Sequence, residues 1–293
     1  MSNEEYASFL SEEFSKKEEI RKLPLHYFTC DFTKLGELSK LSEYLKKINA
    51  NKNLVFYFAV SYTYFNIIIE ELKNAGLNNN ENTKVIFEKP FGYDLRSSNE
   101  LDKTIHKAFG EEQVYRIDHY LAKETVNDII KLKIDNCVLN KILNNKYVKE
   151  IEIAIEEDIG VGNRIEYYNQ AGAIKDMLQN HMLQLLSVLI MDEPVKRYAY
   201  EIHNEKIKIL KSIRFENKDV KESLLGQYRD YAGELEKAGI VNKSTETFAK
   251  IILKCENERW EGVKLVLITG KKLTKREGKI SIKLKDGEKI EFH

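Results

Sequence analysis

The 293-residue chain balances 47 basic against 47 acidic side chains and is 42% hydrophobic and 10% aromatic. That apolar content can bury a sizeable core, and the length suits one large domain or two ordinary ones. Zero net charge gives the chain no general pull toward nucleic acid or an anionic membrane. Its three cysteines, Cys30, Cys137 and Cys255, are odd in number and far apart, which excludes a disulfide framework or a cysteine metal set and fits a reducing, cytoplasmic setting. The opening residues are acidic without a signal-like apolar run, and charges break every apolar run well before membrane-spanning length.

Taken in order, Glu4 to Lys22 reads as an amphipathic helix with Tyr6, Leu10 and Phe14 on one face. Leu25 to Cys30 reads as a short strand and Leu35 to Ile48 as a helix. Asn53 to Val60 is nearly all apolar, the pattern of a strand covered on both faces in a parallel sheet. A helix from Tyr64 to Ala75 ends at Gly76, and Lys84 to Glu88 forms the next strand, followed by Lys89-Pro90-Phe91-Gly92. Ser97 and Glu100 suggest a capping box for a helix reaching Phe109. Val114 to Ile117 is a strand that ends abruptly in Asp118-His119-Tyr120, with Lys123 close behind and a helix from Glu124 to Lys133. Strands alternating with helices predict βαβ units and a parallel sheet, whose ligands gather at the carboxyl ends of its strands.

Beyond Lys123 the pattern changes. Glu150 to Glu157 alternates with period two, placing Ile151, Ile153 and Ile155 on one face with Glu157 continuing it; a strand stopping at Glu156 fits equally. Phe248 to Cys255, Val263 to Ile268 and Lys279 to Lys285 are strand-like, and Asp286-Gly287 reads as a hairpin turn. Consecutive strands predict an antiparallel sheet and a boundary near His119. The expected architecture is α/β followed by α+β: an incomplete Rossmann-like parallel-sheet domain over residues 1–118, then a domain over 119–293 with a large, mainly antiparallel sheet and helices. Between the strands, Ala171 to Leu186 reads as one long helix on which Asp176, Asn180 and Gln184 recur every four residues and share a face, with His181 beside Asn180.

Several stretches together resemble glucose-6-phosphate dehydrogenase. They are Glu88 to Gly92, Arg116 to Glu124, Tyr167-Tyr168 with Ala171-Gly172-Ala173, Asp176 to His181, Gly226-Gln227-Tyr228, and Arg259 to Val263 with Thr269-Gly270-Lys271. They occur in the family's order across nearly the whole chain; Arg-Ile-Asp-His-Tyr-Leu followed by Gln-Asn-His is the most specific. The resemblance implies oxidation of glucose 6-phosphate at C1 to the lactone, with hydride passing to NADP or NAD, at the entry to the pentose phosphate pathway. It implies His181 as general base, with Asp118 orienting it, a role that suits a side chain titrating near neutral pH. His119, Tyr120 and Lys123 match the phosphate grip. Glu157 and Asp176 match sugar-hydroxyl acceptors, and Lys271 and Arg276 match cationic substrate contacts. Lys89 matches a bridge between substrate and nicotinamide, with Pro90 beside it on the cofactor side. No metal is implied. A homodimer formed through the antiparallel sheet is.

The sequence also departs from the family. The Gly-x-x-Gly-Asp-Leu-Ala turn that holds the cofactor pyrophosphate does not occur, nor does the arginine that follows it. Tyr62, Ala122 and Lys133-Ile134 stand where the family has Pro, Gly and Arg-Phe, and little follows Lys285. Three readings stay open: an active dehydrogenase whose first strand lies elsewhere, a truncated inactive relative that still binds sugar phosphate, and a protein whose inherited surface serves association.

Overall fold

The computed structural model describes residues 5, 6, 8–10, 25–135, 137–196, 198–215, 221–241 and 244–293. Most of the expected Glu4–Lys22 helix therefore lies outside the described residues. The chain divides into two compact units, Met1–Ile117 and Asp118–His293.

In the first unit, β1 (Val55–Phe58), β2 (Lys84–Phe87) and β3 (Val114–Arg116) form a parallel sheet in that order. Helices α1 (Glu37–Lys47), α2 (Phe65–Asn74) and α3 (Leu95–His106) alternate with them. The register sets Phe56 beside Val85 and Phe58 beside Phe87. Phe58, Val85 and Phe87 are buried in one core with Phe65, Ile69 and Ile105. The opposite face is open: Val55, Tyr57 and Tyr115 are each more than half exposed. Leu25 to Cys30 carries no strand pairing, so the expected strand is not formed. The cap of α3 also differs. Asp94 is the N-cap, accepting from Ser97 N–H at 2.7 Å while Ser97 Oγ accepts from Asp94 N–H at 3.0 Å. Glu100, expected in that box, instead pairs with Arg96 one turn back.

The second unit opens with α4 (Glu124–Asp135) and α5 (Cys137–Ile142) and is built on a sheet ordered β10-β9-β4-β8-β7-β5, with β6 also paired to β7. Its strands are β4 (Val148–Glu156), β5 (Ile213–Arg214), β6 (Leu224–Gly226), β7 (Phe248–Cys255), β8 (Lys264–Gly270), β9 (Glu277–Leu284) and β10 (Lys289–Phe292). All pairings are antiparallel except β4 with β8. The alternation read in β4 is real, with Ile151, Ile153 and Ile155 all buried. They pack in one core with Met177, Met182, Leu186 and Trp260.

The long helix expected over Ala171–Leu186 is not one α-helix. Helix α6 (Ile165–Ala173) contains a break at Gly172, and Ile174–Met182 is a π-helix that passes into α7 (Leu183–Ile190). Helices α8 (Ala199–Ser212) and α9 (Tyr231–Lys237) complete the unit.

Candidate active site

Two structural accidents of register gather the polar residues of the second unit. The first is the parallel pairing of β4 with β8, which aligns Glu156 with Gly270. Both strands therefore end together, and the next residues, Glu157 and Lys271, meet as an ion pair. Glu157 N–H donates to Gly270 O at 3.0 Å, and Leu273 N–H donates to Glu157 O at 2.9 Å, so the backbone holds the pair in place. Lys271 Nζ also lies 5.5 Å from the ring centre of the buried Tyr168.

The second is the π-helix. On a 3.6-residue helix, Asp176 and His181 would sit about 140° apart. The i→i+5 spacing of a π turn brings positions five apart into near alignment, a device common at functional sites. Asp176 and His181 are accordingly both buried, at 6% and 1% exposure. Asn180 is only half-buried and turns its amide back to Lys175 O at 2.7 Å. The face expected for Asp176, Asn180 and Gln184 is thus replaced by one carrying Asp176 and His181. Tyr167 Oη donates to Asp176 Oδ1 at 3.4 Å.

Asp118 lies at the start of the unit. Its Oδ1 accepts from Tyr120 N–H at 2.9 Å, a local turn that fixes the carboxylate, and the same oxygen is 2.6 Å from His181 Nδ1. Burial is the largest single influence and would raise the Asp118 pKa, but the hydrogen bond and charge of His181, the Tyr120 N–H bond and the charge of His119 together outweigh it and hold the carboxyl below its ordinary value. An ionised Asp118 can only accept, so in neutral His181 the Nδ1 nitrogen carries the proton and Nε2 presents a lone pair. That Nε2 is buried and has no hydrogen-bond partner among the described residues.

Rings pack around this dyad. Tyr120 stacks on His181 with centroids 4.2 Å apart and planes at 25°, and His119 meets His181 edge-on at 4.5 Å. Lys123 Nζ lies 3.7 Å above the Tyr120 ring. Burial, reinforced by Glu157, Asp176 and Asp118, pushes the Tyr120 phenol up to about 12, so it keeps its proton at neutral pH. Burial and then the neighbouring Arg276 pull the Lys123 ammonium below its ordinary value. These shifts tie Arg276, an exposed residue just before β9, to the same cluster.

Asp118, His119 and His181 can each offer one ligand atom within 4.8 Å of the others. Asp118 is already spent on Nδ1, however, and a cation at Nε2 would sit on the ring edge away from that carboxylate. Lys89 and Pro90 belong to the first unit, half-buried at the carboxyl end of β2 and joined by a cis peptide bond. The other candidates, Asp118, His119, Tyr120, Lys123, Glu157, Asp176, His181, Lys271 and Arg276, all fall in the second unit.

A parallel βαβ unit followed by a helix-backed mixed sheet is a fold that recurs in other solved structures. A myo-inositol 2-dehydrogenase from Lactobacillus plantarum shares it at TM-score 0.54 and 14% identity, over 96% of this chain and 66% of that one. The chain belongs to the glucose-6-phosphate dehydrogenase family. The model described as "Glucose-6-phosphate dehydrogenase, NAD binding domain" matches residues 1–128, and "Glucose-6-phosphate dehydrogenase, C-terminal domain" matches residues 130–293. A glucose-6-phosphate 1-dehydrogenase of Borreliella burgdorferi is 36% identical over 274 residues, 89% of this chain and 57% of that protein. Glucose-6-phosphate 1-dehydrogenase 2 of Mycobacterium bovis is 38% identical over 269 residues, 87% of this chain and 52% of that protein. A solved glucose-6-phosphate dehydrogenase in complex with glucose-6-phosphate superposes at TM-score 0.86 and 28% identity, covering 99% of this chain and 65% of that one. The chain spans about half the length of the curated relatives it matches.

Proposed function

We propose that the second unit binds glucose 6-phosphate and that His181 removes the C1 hydroxyl proton as the sugar is oxidised to the lactone. The observation that carries this reading is the unpartnered, buried Nε2 of a histidine whose Nδ1 is held by an ionised Asp118. A base needs a free lone pair on one nitrogen and a fixed proton on the other. As the imidazolium forms, Asp118 stabilises it. Tyr120 packed on the ring restricts its rotation.

Charge around the dyad suits an anionic sugar. Lys123 and Arg276, with His119 and the Tyr120 phenol, offer cations and donors to a phosphate. Asp176 and Glu157 offer acceptors for sugar hydroxyls. Lys271, now neutralised by Glu157, can exchange that carboxylate for a ligand oxygen.

Accepting the hydride is the chemistry a nicotinamide dinucleotide supplies. Lys89 and Pro90, at the carboxyl end of β2, sit where open α/β sheets present ligands. No Gly-x-x-Gly turn follows β1, β2 or β3 among the described residues, so the pyrophosphate cradle is not formed by them. The choice of NADP over NAD belongs to that element. The supporting likeness for substrate is the neighbour in complex with glucose-6-phosphate.

The test is thermal. Glucose 6-phosphate should raise the melting temperature in proportion to its occupancy. His119→Ala with Lys123→Ala should remove the shift, while glucose without phosphate should give little. No shift in a folded sample would overturn the substrate assignment. A shift with glucose 6-phosphate but none with NADP would favour the reading of a sugar-phosphate binder without turnover.

A further inference from the structure

The π-helix begins at a backbone break. Gly172 has φ 67° and ψ 177°, a conformation that is essentially glycine's alone. Past such a break, the first N–H groups of the new helix have no helical acceptor. One distant residue supplies two acceptors. Ala173 N–H donates to the backbone oxygen of Glu246 at 3.0 Å, and Ile174 N–H donates to Glu246 Oε1 at 2.9 Å. A Cβ at position 172 would lie 2.4 Å from that same Oε1, so a larger residue there would push the carboxylate off Ile174.

The residues flanking Glu246 fasten the same strap. Thr245 Oγ1 donates to Asn169 O at 2.6 Å. Thr247 is fully buried; its backbone oxygen accepts from Lys271 N–H at 2.9 Å and its Oγ1 from Tyr228 N–H at 2.9 Å. Residues 245–247 therefore connect the start of the helix carrying Asp176 and His181 with the backbone of Lys271.

We propose that Glu246 is a positioning residue: its carboxylate fixes where the π-helix starts and so holds Asp176 and His181 in register with Lys271. The proposal rests on the reading of His181 as the base, but its structural half can be tested without turnover. Glu246 makes no contact with the dyad among the described hydrogen bonds and acts through Ile174. A carboxylate at a helix start also opposes the positive end of the helix dipole. Without the carboxylate, the Ala173 N–H bond to the backbone oxygen of residue 246 remains, but Ile174 N–H loses its acceptor and the segment is freer to relax to α spacing. That change would rotate His181 away from Asp176.

The experiment compares Glu246→Ala, Glu246→Asp and Glu246→Gln. Two measurements need no activity: amide hydrogen exchange across Ile174–Met182, and the imidazole nitrogen resonances of His181, which report its tautomer. Glu246→Ala and the one-methylene-shorter Glu246→Asp should speed exchange and move the His181 resonances. Glu246→Gln, which keeps an acceptor oxygen, should stay close to the unmodified chain. In sugar-phosphate oxidation, the first two should lower kcat by roughly 10- to 100-fold, the scale of a misplaced catalytic group, with a much smaller change in KM. Wild-type exchange and resonances in Glu246→Asp would overturn the proposal, as would a Glu246→Gln variant as damaged as Glu246→Asp. If Glu246→Ala does not fold, the Asp and Gln variants decide. If the unmodified chain shows no oxidation, the dehydrogenase reading fails, while the exchange and resonance data still judge the positioning role.

Discussion

His181 is enclosed to 1% exposure, yet among the described residues only one of its two nitrogens has a partner. Such an arrangement is costly for a structural histidine and useful for a base. Asp118→Asn keeps the shape but turns a pure acceptor into a group that can donate to Nδ1, which would favour the wrong tautomer. Its kcat should fall by about 100-fold or more, with the sugar phosphate still bound. The same carboxyl gives a stability signature. It holds its proton less tightly folded than unfolded, so its contribution is present above the unfolded value and lost as pH falls through the folded one. Urea unfolding of the unmodified chain should therefore lose stability below about pH 4 more steeply than Asp118→Asn. Equal slopes would contradict the pairing. These two residues were legible in the sequence because short motifs carry them. Glu246 was not, since nothing near it in sequence marks a contact with a helix some 70 residues earlier (Ile174 to Glu246 is a separation of 72).

Among the elements, most strands were legible because burial imposes a period of two or a continuous apolar run. β4 and β7 are clear instances. The π-helix was not legible, because its apolar pattern reads the same as an α-helix and its register is set by Gly172 and the distant Glu246. The caps failed for a related reason: both Asp94 and Ser97 are plausible N-caps, and only the backbone chooses. Two buried contacts hold the C-terminal end of α7. Trp260 is fully buried and its Nε1 donates to Ile190 O at 2.8 Å. Trp260→Ala should cost about 3–5 kcal/mol, read as a lower urea midpoint with an unchanged slope. Lys133 Nζ, 2% exposed, donates to Val188 O at 3.3 Å, Leu189 O at 2.8 Å and Met191 O at 2.5 Å. Burial, and then Arg259, pull the Lys133 ammonium down to about 7. Between there and its ordinary value of 10.5, the unfolded chain binds more protons than the folded one, so stability should rise with pH. Lys133→Met should flatten that rise. An unchanged pH slope would contradict the shift.

For the molecule as a whole, the change from alternating helices and strands to consecutive strands marked two units, and the described structure divides between Ile117 and Asp118. The open apolar face of the first unit's sheet was not legible. An unbroken apolar run implies cover on both faces, yet Val55, Tyr57 and Tyr115 remain exposed. Replacing Tyr57 and Tyr115 with Lys should raise solubility with little loss of stability, checked by the salt at which each variant precipitates. If two copies pair through the second unit's sheet, as the family resemblance implies, sedimentation equilibrium should show a dimer. A monomer at every concentration would contradict it. No described helix is long and apolar enough to cross a membrane.

The central claim is that the second unit carries a sugar-phosphate site with His181 as its base. It is tested most directly by following the absorbance of reduced nicotinamide when the chain is given glucose 6-phosphate and NADP. Turnover is expected, and His181→Asn should abolish it while leaving the glucose 6-phosphate melting shift in place. Turnover that survives His181→Asn, or a folded chain with neither turnover nor a melting shift, would contradict it.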